Sequence, residues 1–328
     1  MLVSAFCLLL AAAEPAAQSD RAPARPGVVI SSPAKADDPL ELEYLKLLEE
    51  DDAAQKQADK IIRENEAFAA RGAGMSEAAV RQKVELVFEV VEKHYDEFLR
   101  RHPKHIRARL AYGSFLNDIN KEEEAIEQWD TARKLEPDNP ASWNNLANIY
   151  GHHGPVKKAF EYYDKAISLN TNEPVYYHNL ATVVYLFRKD AKEYYNINEQ
   201  QVFDRALELY GKAQKLDPKD FQLATDIAQT YYGIKPQRTK DALAAWEVAL
   251  NLAGTPEERE GIYLHIARVK IGASDFDGAR ASLESVTNAS YAVLKTRLLR
   301  SLTNHAAKVT QGVTNEASAK PAEPSPAK

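Results

Sequence analysis

A single cysteine, Cys7, occurs among the 328 residues, so no disulfide framework can hold this chain together. Positive charge is not in excess either. Lys+Arg 42 against Asp+Glu 48 leaves a formal charge of −6, which offers no overall field for neutralising phosphates and argues against a nucleic-acid partner. Apolar runs are short, and none reaches the length of a membrane-spanning helix. Glycine-rich phosphate loops, a Gly-x-Ser-x-Gly elbow and a His-Glu-x-x-His pair are all missing, and the carboxylates are spread too evenly to single out a dyad. The nearest approach to a metal cluster is His152-His153 with His178. Adjacent histidines on a helix diverge by about a hundred degrees, and no cysteine or acid completes a ligand set. The expectation is a non-catalytic protein with no cofactor and no metal.

The ends differ from the middle. Leu2 to Ala13 is an uncharged apolar run closing on Ala11-Ala12-Ala13, the small-residue pattern of a cleaved export signal, so residues 1–13 are expected to direct the chain to a periplasmic or secreted location. Residues 14–39, with Pro15, Pro23, Pro26, Pro33 and Pro39, read as a disordered linker, and residues 305–328, with Pro321, Pro324 and Pro326, as a disordered tail.

Between them lies a repeat. Small residues recur in three series: Gly113, Ala147, Ala181, Ala228 and Ala267; then Ala125, Ala159, Ala206, Ala242 and Ala279; then Ala132, Ala166, Ala213, Ala249 and Val286. The regular spacings of 12, 7 and 15 residues close a unit of 34. Four residues past each second-series member stands Trp129, Tyr163, Tyr210, Trp246 or Leu283. Two antiparallel helices approach closely only where neither presents a bulky side chain, and a large ring fills the hole beside the contact. Each unit is therefore expected to be a helix hairpin. Breakers fall where the hairpins should end, at Pro137, Pro140, Pro174, Pro218, Gly254 and Pro256.

This arrangement resembles the tetratricopeptide-repeat (TPR) family, whose 34-residue hairpins stack into a right-handed superhelix. The unit Pro140 to Glu173 carries Trp143, Leu146, Ala147, Tyr150, Gly154, Ala159, Tyr163 and Ala166 at the family's anchor positions, whereas Arg109 takes the place usually given to Trp in the unit before. The fold class implied is an all-α, right-handed α-α superhelical solenoid of about five repeats with capping helices. Its repeats would span 106–139, 140–173, 174–220, 221–256 and 260–293. An N-terminal helical cap over 40–105 and a C-terminal capping helix over 291–304 would cover the two ends of the stack. The third unit has 13 extra residues between its helices. Shared between them, these would lengthen each helix by about two turns and make a protruding hairpin, with 188–201 available for self-association.

The resemblance places the binding surface on the first helices of the hairpins. Here these offer Asn144, Asn145, Asn148 and His152, then His178, Asn179, Thr182 and Tyr185, then Thr225, Gln229 and Tyr232. Side-chain amides both donate and accept, which suits the backbone of an extended peptide, and tyrosines add stacking area with a polar tip. Asn145 and Asn179 resemble the asparagine ladder with which some TPR proteins grip a peptide. The carboxylate clamp of the chaperone-binding form is absent, since Leu110, Ser114, Val175 and Asn179 occupy its positions. The function expected is an exported scaffold or adaptor that binds a protein or peptide in a concave groove. An accessory or catalytic component of an envelope enzyme is the alternative.

Overall fold

The structure, a computed structural model, describes residues 38–318, with side-chain surroundings through residue 310. The export segment 1–13, nearly all of the 14–39 linker and the last residues of the tail lie outside the described residues. Among those described, every regular element is helical and none is a strand. No helix among them is long and apolar enough to cross a membrane. The chain divides into two compact units between Leu209 and Tyr210.

In the first unit, α1 (Pro39–Ala69) and α2 (Glu77–Arg101) form a long hairpin. Asp38 caps α1 by accepting from the Leu40 N–H, and Ser76 caps α2 by accepting from the Ala79 N–H. The two helices are joined inside by the Tyr95 hydroxyl, which donates to Asp51 at 2.8 Å. Tyr95 also stacks on Tyr112 of the next helix at 4.8 Å between ring centroids, and Arg107 forks onto both carboxylate oxygens of Glu41 at 2.8 Å. The hairpin is thereby fastened to the first repeat.

That repeat is α3 (Ile106–Asp118) with α4 (Glu122–Leu135), and the second is α5 (Pro140–His153) with α6 (Val156–Leu169). Ala125, Ala132, Ala147, Ala159 and Ala166 are all completely buried, as a close helix contact requires. At Gly113 the reason is visible, because a Cβ there would lie 2.4 Å from Nε1 of Trp129. The turns use left-handed residues, Asn120 (φ 63°) in the first hairpin and Gly154 (φ 79°) in the second. A further regularity joins successive repeats. The Trp143 indole donates to the carbonyl of Pro137, six residues back, and Arg109 makes the equivalent bonds to Pro103 with Nε and Nη2. Arginine replaces tryptophan here because it reaches the same acceptor.

The third repeat corrects the expectation of a protruding arm. Its first helix, α7 (Pro174–Leu186), keeps ordinary length, and the extra residues form a separate short helix, α8 (Arg188–Tyr195), before α9 (Glu199–Leu216). A left-handed residue, Asn196 at φ 51°, ends α8. The helix folds back on α6: Tyr194 and Tyr195 lie 5.3 and 5.5 Å from the Phe160 ring, Ala191 is completely buried, and Lys157 pairs with Glu193 at 2.8 Å. Aromatic burial outweighs helix extension, so the extended hairpin that was to carry self-association does not form.

The second unit contains α10 (Phe221–Thr230), which tightens into a 3-10 turn over Tyr231–Gly233, and α11 (Thr239–Leu252). The next hairpin is α12 (Pro256–Gly272) with α13 (Phe276–Glu284), and α12 opens on a capping box between Thr255 and Glu258. This repeat therefore starts at Pro256 rather than at residue 260. The last helix, α14 (Ala292–Ser318), seats Leu294, Leu298, Leu299 and Leu302 against the core of α12 and α13. It runs on past residue 304, through part of the stretch expected to be a disordered tail. Residues 305–310 contain no proline or glycine, so nothing there interrupts the helix.

Candidate functional site

In the first unit the inner helices α5 and α7 hold the densest set of expected contact residues. Asn139 accepts from the Ala141 N–H and starts α5 at Pro140, which sets the rotation that turns Asn144 and Asn145 toward α7. There the amides link across the repeats. Asn179 Nδ2 donates to Asn144 Oδ1 at 3.2 Å, and Asn144 Nδ2 donates to Asn145 Oδ1 at 3.3 Å. Asn144 is 1 % exposed and Asn145 6 %, so these bonds lie buried, and Asn179 is half-buried. Asn145 Nδ2 and Asn179 Oδ1 take no part in the chain of bonds. The ladder thus ends in one donor and one acceptor.

Other expected residues face elsewhere. Asn148 accepts from the Tyr163 hydroxyl at 2.6 Å, which locks α5 to α6 inside one hairpin. Tyr185 is buried, with the Phe203 ring at 6.2 Å and the Arg188 guanidinium over its face at 5.1 Å, so a groove contact through its ring is corrected to a packing role. Thr182 bonds back to the carbonyl of His178 at 3.0 Å, and both side chains are half-buried. His152 is exposed beside His153, whose Nε2 pairs with Glu122 at 3.0 Å. Among the described residues no three His, Cys, Asp or Glu side chains are placed to hold a metal ion.

Gln229 and Tyr232 belong to the second unit, where Tyr232 is part of a cluster that sequence reasoning missed. Its hydroxyl meets His265 Nδ1 at 3.0 Å, and the Arg268 guanidinium lies over its ring at 4.5 Å. His265 stacks on Trp246 at 4.3 Å with the rings 5° from parallel. Burial, reinforced by the nearby Arg268 charge, pushes the His265 imidazole down to about 4. The missed signal was available: Arg268 follows Ala267 as Asn148 follows Ala147, Thr182 follows Ala181 and Gln229 follows Ala228.

Tandem helix hairpins locked through small residues and rings, with polar side chains on their first helices, define an all-α repeat protein built as a protein-interaction scaffold. Within this stack, residues 113–173 are tetratricopeptide repeats. Residues 113–154 match a family described as TPR repeat, and residues 140–173 match one described as tetratricopeptide repeat. Among solved structures the chain is similar to PilW, described as a widely conserved type IV pilus biogenesis factor, at 14 % identity and a TM-score of 0.51 over 68 % of this chain and 96 % of that one. It is also similar to the C-terminal part of a TPR repeat-containing protein from Cytophaga hutchinsonii, at 13 % identity and a TM-score of 0.50 over 80 % of this chain and 99 % of that one. No curated protein matches the chain.

Proposed function

We propose that the protein is an exported scaffold that holds an extended peptide segment of a partner protein along α5 and α7, so as to assemble a complex in the envelope or outside the cell. The observation that supports this reading is the end of the asparagine ladder. A peptide unit presents one carbonyl and one N–H, and the ladder offers the matching pair, Asn145 Nδ2 as donor and Asn179 Oδ1 as acceptor. The inner rung fixes both amides, so little side-chain freedom is lost on binding. Half-buried His178 and Thr182 flank the pair and give the peptide a polar wall.

The test is to pan a displayed library of random peptides against the immobilised chain. Enrichment of extended peptides is expected, with affinity reduced about tenfold or more by Asn145→Ala with Asn179→Ala, since each removes a hydrogen bond of about 1 kcal/mol. A library that never enriches, or peptides indifferent to a still-helical double variant, sinks the reading. Export rests separately on the apolar run Leu2 to Ala13. Recovery of a cytoplasmic chain that retains Met1 would remove it.

A further inference from the structure

We propose that His105 is an acid-operated latch: a proton on its ring releases the first turn of α3 and, with it, the start of α1 from the first repeat. The cap of α3 sets it apart. His105 stands at the N-cap, and its Nδ1 accepts from the Ala108 N–H at 3.0 Å. Asp38, Ser76, Asn139, Asp220 and Thr255 fill the same position on α1, α2, α5, α10 and α12, and each accepts with a side-chain oxygen. An imidazole nitrogen differs from these, because it accepts only while it carries no proton. A proton on Nδ1 would set donor against donor and place positive charge at the positive end of the helix dipole. The first turn of α3 would then lose its cap.

That turn is where α1 is fastened. The Tyr44 hydroxyl donates to the Arg107 carbonyl at 3.4 Å, the Arg107 guanidinium lies over the Tyr44 ring at 4.6 Å, and its Nη1 reaches both oxygens of Glu41. The His105 ring fills the corner, 4.8 Å from Tyr44 and edge-on to Phe98 at 5.1 Å. Among the described residues, the charged or titratable groups facing the imidazole are Arg107 on α3, Glu41 and Tyr44 on α1, and His102 beyond the end of α2. Burial pushes the Tyr44 hydroxyl up to about 12, so it stays neutral. Burial first, and then the Arg107 charge, hold the imidazole below its ordinary value, with Glu41 pulling the other way. Opening returns the ring to water and to an ordinary value of about 6.5. The latch is therefore fully closed above about pH 6.5 and weakens as pH falls toward the lower folded value, because the open state takes up the proton. The other histidines here behave differently. His94 Nδ1 meets Glu50 of α1 at 2.7 Å, and His102 Nε2 meets Glu43 of α1 at 3.4 Å, with Arg101 on the same carboxylate. Their partners are carboxylates, so a protonated ring keeps each bond as a donor. Acid thus leaves α1 on α2 while parting it from α3.

Amide hydrogen exchange on the full chain, resolved by residue and corrected for the intrinsic effect of pH, tests this from about pH 7.5 to about pH 5. Exchange at Ala108 and Arg109 and across residues 42–47 is expected to rise together, by up to about tenfold for each pH unit below about 6.5, as uptake of one proton requires. Residues 112–116, deeper in α3, should stay protected, which separates opening of the latch from unfolding of the unit. His105→Asn supplies an amide oxygen for the cap and no titrating ring, so it should abolish the rise. His105→Ala has no acceptor and should exchange at neutral pH as the parent does in acid. A parent chain whose exchange at these sites ignores pH overturns the proposal, and so does a His105→Ala chain that stays protected. A rise that persists in His105→Asn assigns the proton to another group and overturns it as well. Exchange that rises at Ala108 while 42–47 stay protected breaks the link to α1.

Discussion

Gly113 and Gly211 both lie inside helices, yet their surroundings assign them opposite roles. A Cβ on Gly113 would intrude on the Trp129 ring, with Nε1 at 2.4 Å and Cδ1 at 2.6 Å, and that indole is held by its bond to the Leu110 carbonyl at 3.1 Å. A Cβ on Gly211 would meet nothing within 4 Å. Gly113→Ala is therefore expected to cost about 1–3 kcal/mol through overpacking, and Gly211→Ala to stabilise by about 0.5–1 kcal/mol through the helix propensity of alanine. Urea denaturation of the two variants beside the parent decides both signs. The small-residue series in the sequence located Gly113, because its spacing matches the alanines of the other repeats. The series could not say that Arg109 would stand in for a tryptophan, since that equivalence rests on reach to the Pro103 carbonyl and not on side-chain type.

At the scale of elements, the insertion in the third repeat shows where local pattern loses to packing. Its charged residues, Arg188, Lys189, Asp190, Lys192 and Glu193, read as an exposed extension. In the fold Lys189, Lys192 and Glu193 form the exposed side of α8 and Arg188 packs over Tyr185 and Phe203, while Tyr194 and Tyr195 pin the helix to Phe160 and Arg205 covers the Tyr195 ring at 3.9 Å. Tyr195→Ala is expected to cost about 2–4 kcal/mol and to speed amide hydrogen exchange across residues 188–197. Lys157→Ala, which removes only the exposed pair with Glu193, should change stability by less than about 1 kcal/mol. Equal effects from the two substitutions would show that charge, not aromatic burial, docks α8. The candidate site was legible to the same partial degree. Asn144, Asn145 and Asn179 were placed on the first helices of neighbouring hairpins by the repeat spacing, and on the binding face by the family resemblance. That Asn148 turns to Tyr163 and Tyr185 to Phe203 depends on partners distant in the sequence.

For the molecule as a whole, tandem repeats touch only their neighbours, so a local disturbance should loosen one unit before the other. His265 provides one. Its imidazole is held down to about 4 in the fold, against about 6.5 in an unfolded chain, so between these values the unfolded state binds a proton that the folded state refuses. Stability is complete above about pH 6.5 and declines as pH falls toward 4, by a contribution on the order of 3 kcal/mol. Burial also lowers His105 in the first unit, in the same direction. Hydrogen exchange followed from neutral pH to pH 4 should show α10 to α12 losing protection, and His265→Gln should flatten that slope. A slope unchanged in the variant would assign the acid sensitivity to other groups.

The order of helices, the 34-residue period and the hairpin contacts were determined by the sequence alone, because small residues, rings and breakers act over a few turns of helix and recur with each unit. Tertiary structure decided what those local rules leave open. It folded α8 back onto α6, drew Asn144, Asn145 and Asn179 into one chain of bonds, and stacked His265 on Trp246. Each of these outcomes turns on which surfaces meet across repeats, where burial of apolar area and pairing of polar groups are settled jointly by residues far apart in the chain.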